Sequence, residues 1–107
     1  MTITLPDDCG NSPRIGIVGD FVTAWGTGRP LDEWLHDEHS STTYGPDMAV
    51  SATEGEVRSI VTHGRLASCD GYLVDGNEKI EFSHAIRFAS TSKTAKIVEI
   101  RSFIIRQ

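Results

Sequence analysis

Lys79-Ile80-Glu81-Phe82-Ser83-His84-Ala85-Ile86-Arg87-Phe88-Ala89 alternates along its length. Ile80, Phe82, His84, Ile86 and Phe88 share one face; Lys79, Glu81, Ser83 and Arg87 share the other with Ala85. Such a period of two marks a strand with one buried face. The same period runs through residues 65–74 before it and 95–106 after it. The connections Asp75-Gly76-Asn77-Glu78 and Ser90-Thr91-Ser92-Lys93-Thr94 are short, and they predict a three-stranded antiparallel meander.

Upstream the period becomes helical. Ser12 reads as an N-cap and Pro13 as the first helical residue. Ile15, Val18, Phe21, Val22 and Trp25 then form one apolar face, closed by Gly26 and Gly28. A buried strand over residues 14–19 is the rival reading, because Gly16 and Gly19 each disfavour a helix by roughly 1 kcal/mol. The continuous apolar face favours the helix. A second helix is expected over 30–37, burying Leu31, Trp34 and Leu35. Thr53-Glu54-Gly55-Glu56 has the capping-box pattern and predicts a third, carrying Val57, Ile60 and Val61 and stopping at Gly64. Residues 1–11 read as a tail and 12–107 as one domain. The expected class is α+β, with N-terminal helices packed on a curved antiparallel sheet that forms a cone with an internal pocket.

The chain has 107 residues, with 10 Lys+Arg against 15 Asp+Glu and a net charge of −5. That balance argues against a surface that tracks phosphates, so no nucleic-acid partner is expected. No apolar run reaches the ~20 residues that span a bilayer, and no membrane partner is expected. The N-terminus shows no basic region followed by an apolar stretch, so a cytoplasmic location is expected. Cys9 and Cys69 read as free thiols, and no CxxC pair suggests structural zinc.

Three stretches resemble the nuclear transport factor 2-like superfamily, in its SnoaL-like polyketide cyclase and ketosteroid isomerase branch. They are residues 20–28 (DFVTAWGTG), 84–88 (HAIRF) and 96–103 (KIVEIRSF). The resemblance implies a cystatin-like cone, a pocket lined mainly by apolar side chains, and a homodimer through the outer sheet face. It places His84 where the isomerases carry a protonated aspartic acid. It also sets Phe21 in place of their oxyanion tyrosine and leaves no acid at Thr43-Tyr44, where their base stands. The epoxide hydrolases of that fold would match Asp70 and Arg101, but Ser68 stands where they have an arginine.

A small apolar ligand in the cone pocket is the leading expectation, bound by Phe21, Trp25, Tyr44, Phe82 and Phe88. The alternative is an isomerase, cyclase or hydrolase using His84 and Asp70 as an acid/base pair, with no cofactor and no metal. The second alternative is a protein-interaction scaffold whose cone is filled by its own side chains, with Val98, Ile100, Ile104 and Ala85 as contact residues. His84 is either a satisfied core histidine or a pocket donor. Asp70 shares its face with Leu66, Ser68, Tyr72 and Val74, and strand register decides whether that face lines the pocket or looks outward. Glu99 and Arg101 form either a pocket pair or a surface pair. The run His36-Asp37-Glu38-His39 reads as a solvated helix end rather than a metal site.

Overall fold

The computed structural model describes residues 2–5, 13–46, 52–92 and 94–106. In chain order the elements are β1 (Thr2–Thr4), α1 (Pro13–Gly26), β2 (Leu35–Tyr44), β3 (Glu54–His63), β4 (Leu66–Asp75), β5 (Glu78–Phe88) and β6 (Ile97–Arg106). Ser12 and Cys9 lie outside the described residues.

Two glycines set the hairpins. Gly64 and Gly76 adopt φ of 58° and 62°, each as the first residue of a two-residue loop between paired strand ends, His63 with Leu66 and Asp75 with Glu78. Positive φ there gives the type II′ turn, whose twist matches that of the flanking strands. The antiparallel run β3-β4-β5-β6 results, and β1 and β2 add to its two edges by parallel pairing with β3 and β6. The strand order is β1-β3-β4-β5-β6-β2.

This architecture corrects the expected one. The domain is α+β, but it has one helix among the described residues, and the sheet is mixed and open rather than a closed antiparallel cone. The nuclear transport factor 2-like, SnoaL-like and cystatin-like expectations are overturned with it. Both additional helices are absent, and each false signal has a local cause. In β3 a bulge falls between Val57 and Ser59, so Val57 and Ile60 both face inward although three residues apart. A strand with a bulge thereby imitates helical spacing. At residues 31–35, Trp34 N–H and Leu35 N–H both donate to the Leu31 carbonyl, a single helical turn that passes directly into β2.

The core lies between α1 and the inner face of the sheet. Val18, Phe21 and Val22 meet Val57, Ile60, Cys69, Leu73, Ile80, Phe82, Ile86, Phe88, Ile97, Ile100 and Ile104, all buried. Arg14 is drawn into this layer: its guanidinium sits 3.9 Å over the Phe88 ring, and its Nη2 donates to the Ser92 carbonyl at 2.8 Å. That contact ties the start of α1 to the β5–β6 connection. Gly71 faces Val57 beside the β3 bulge, where a Cβ would stand 2.0 Å from the Glu56 carbonyl oxygen. No side chain fits there.

Candidate functional site

Strand register divides the expected site residues between the two faces of the sheet. Cys69 pairs with His84, and Asp70 pairs with Ser83. Because neighbours on a strand point to opposite faces, His84 belongs to the core and Asp70 to the outer surface. The acid/base pair is therefore separated by the sheet itself. Phe21, Trp25, Phe82 and Phe88 stand on the His84 side, while Tyr44 stands with Asp70, stacked on Phe103 at 5.1 Å and 12°.

On the inner side, His84 is fully buried in an aromatic setting. Its ring centroid is 4.3 Å from Trp25, 5.3 Å from Phe82 and 6.4 Å from Phe21. His84 Nδ1 and Ser102 Oγ share a hydrogen bond of 2.8 Å, whereas Nε2 is buried with no hydrogen-bond partner among the described residues. Burial disfavours the imidazolium and lowers the pKa to about 4. The neighbouring Cys69 thiol is pushed up to about 12, chiefly by burial and then by the Asp70 charge. These side chains fill the layer that the cone pocket was expected to occupy. The ligand pocket, the acid/base enzyme and the self-filled cone all fall with that architecture. Ile100 and Ile104 are core residues rather than surface contacts, because the extra residue in β6 opposite Arg87 and Phe88 resets their facing.

The outer face carries no helix among the described residues. One transverse row crosses it: Ser59, Asp70, Ser83, Phe103 and Tyr44 are successive register partners on β3, β4, β5, β6 and β2. Around that row opens a depression of about 400 Å³, lined among others by Ser68, Asp70, Glu81, Phe103 and Ile105. The Ser59 hydroxyl donates to the Asp70 carboxylate. Beside it the Arg58 guanidinium donates twice to Glu81, at 2.6 and 3.1 Å, while lying over Tyr72 with Lys79. The Arg58 hydrogen bonds hold the Glu81 carboxyl below the usual carboxylate range. At the other end of the face, Glu99 is shared by Arg87 at 3.4 Å and Arg101 at 3.8 Å, so the expected surface alternative for that pair is the observed one.

Large apolar side chains are also exposed on this face. Ile105 and Val61 are 63% and 59% accessible, and Phe103, Tyr44 and Leu66 are exposed as well. Between them, at the middle of the sheet, stand the small residues Ser68, Ser83 and Ala85. Phe103, Ile105 and Arg58 were not singled out from sequence as surface residues. The signal for the first two was available, because the apolar run at the end of β6 puts hydrophobic side chains on both faces.

The His36–His39 run lies in β2 rather than at a helix end. Pairing passes from Leu35–Ile97 to Ser40–Glu99, leaving residues 36–39 as a bulge. His36 Nδ1 accepts from Glu38 N–H, and His39 Nδ1 bonds the His36 carbonyl. Among the described residues no group of three or more His, Cys, Asp and Glu could hold a metal ion. Comparison with protein-family models, curated proteins and solved structures finds no match.

Proposed function

We propose that this domain is an association module that works as a homodimer, with two copies joined through the outer faces of their sheets. The observation that carries the reading is the set of exposed apolar residues on a sheet face that no helix among the described residues covers: Tyr44, Val61, Leu66, Phe103 and Ile105. An exposed apolar surface of this kind, rimmed by charge, favours burial against a partner.

Two further observations support a second copy as that partner. Strands β3 to β6 with β2 span about 24 Å by about 33 Å, on the order of 800 Å², which is what one partner contributes to a stable interface. The charges are also divided in a self-complementary way. Glu54, Glu56, Asp70 and Glu81, with Arg58 and Lys79, occupy one end and the middle of the face, while Arg87 and Arg101 with Glu99 occupy the other end. One end is net acidic and the other net basic. A two-fold axis that lies between the faces and crosses the strands brings unlike ends together.

Sedimentation equilibrium tests the reading. The expected mass is twice 11.7 kDa, and Ile105→Arg is expected to return it to 11.7 kDa with the circular dichroism unchanged. A folded wild type that stays monomeric up to high micromolar concentration refutes the proposal.

A further inference from the structure

We infer that the dimer is keyed by one reciprocal contact, in which Arg101 of each copy enters the Asp70 depression of the other. This rests on the association proposed above and adds to it the residue that fills the depression and the geometry of the two-fold axis.

Asp70 is half-buried at the floor of the outer face and makes no ion pair among the described residues; its carboxylate accepts from Ser59. The depression around it presents oxygen atoms from Ser59, Ser68, Ser83 and Glu81, and one wall is the Phe103 ring. A carboxylate next to an aromatic wall suits a guanidinium, which is planar, hydrogen-bonds in pairs and stacks on rings. A lysine would satisfy the charge but not the plane. At about 400 Å³ the space admits such a side chain.

The cations on this face differ in their availability. Arg58 is held twice by Glu81, and Lys79 is seated over Tyr72 and bridges Glu81 at 3.5 Å. Arg101 is half-exposed, and its only described ion pair is the long 3.8 Å approach to Glu99, which Arg87 shares. Arg101 lies two strands from Asp70 and one same-face step along, so the two side chains are separated by about 10 Å across the sheet and about 7 Å along it. That distance is too long for a pair within one chain.

In an isologous dimer, residue i meets residue j and j meets i. The axis that superposes Arg101 on the partner's Asp70 runs over β5 between Ser83 and Ala85, midway between the two residues. Small side chains at that point let the sheets approach closely. The same axis passes near Phe103 and brings it close to the partner's Phe103, so the exposed ring is covered by its own copy. Charge, shape and symmetry agree on a single arrangement.

A charge exchange tests this contact. Asp70→Arg and Arg101→Asp are each expected to raise the dimer dissociation constant at least about tenfold in sedimentation velocity. The double variant, carrying both exchanges, is expected to restore it to near the wild-type value, with circular dichroism confirming that all three variants fold. Asp70→Asn is expected to weaken the dimer and to reduce its salt dependence. If both single variants dimerise as the wild type does, the contact is refuted while the association stands. Weakened single variants without recovery in the double refute it equally, because then the two residues do not face each other. A monomeric wild type overturns the association itself, and the contact with it.

Discussion

The two faces of this sheet come from the same strands, one residue out of phase, yet they follow different rules. The inner face is closed: its apolar side chains meet α1, and its histidine is neutral and enclosed by rings. The outer face mixes exposed apolar groups with a carboxylate and clasped ion pairs. One face holds the fold together, and the other is left over after folding. The comparison teaches where function is to be sought, because burial has already committed every residue on the inner side.

The largest difference between the faces should appear on truncation. Phe21→Ala removes a fully buried ring and should destabilise the domain by about 3–5 kcal/mol in urea unfolding, since the cavity left behind adds to the lost transfer energy. Tyr44→Ala, outside, should change stability by less than about 1 kcal/mol. Equal losses would mean that the outer face is also part of the core.

Acid should act next, and from the inner side. His84 ordinarily titrates at 6.5 and is lowered to about 4 by burial, so as pH falls the unfolded chain takes up the proton first. Stability is therefore complete above about pH 6.5 and declines until about pH 4, by roughly 3 kcal/mol at about 1.4 kcal/mol per pH unit. Urea midpoints measured between pH 7 and pH 4.5 should show this slope, and His84→Gln should flatten it. A slope that persists in that variant would assign the effect to other groups.

Gly71→Ala sharpens the contrast in a third way. It adds a methyl group on the inner face of β4 but strikes the backbone of β3 at Glu56, so it should cost more than about 1 kcal/mol despite its small size. Ser83→Ala, at a nearby outer position, should fall within about 0.5 kcal/mol of wild type. The smallest effect belongs to Arg58 and Glu81: in the monomeric Ile105→Arg variant their coupling in a double-mutant cycle should be measurable at low salt and vanish in 1 M salt, as an exposed pair is screened. Coupling that survives salt in the wild type but not in that variant would show the cluster covered in the dimer, as the proposed pairing of outer faces expects.

The sequence was legible where its period was strict. Residues 78–89 and α1 carry unbroken patterns, and the inward set of β5 could be read directly from Ile80 to Phe88; the extra residue in β6 broke the pattern beyond them. Reading failed where a bulge reset the phase. Val57 and Ile60 in β3 stand three apart on one face, and Thr53 before Glu56 adds a capping pattern that the fold does not use for a helix. The α+β class survived these errors, but the cone did not, because the expected helices at 30–37 and 53–64 are strand or turn. Of the candidate site, the interior position of His84 was readable from alternation alone. The outward position of Asp70 was not, since it depends on which face of β4 meets α1, and a bulge in the neighbouring strand can reverse that choice.

The bulge in β2 has one more consequence, for how far the chain can assemble. An open sheet has two edges, and each can template further strands and lead to fibres. Here β1 offers only three residues, and the first half of β2 folds its backbone onto His36 and His39 while displaying Asp37 and Glu38. Growth from edge to edge is thus impeded at both ends. Association is left to the face, and the two-fold pairing proposed above would use up that surface and stop the assembly at two.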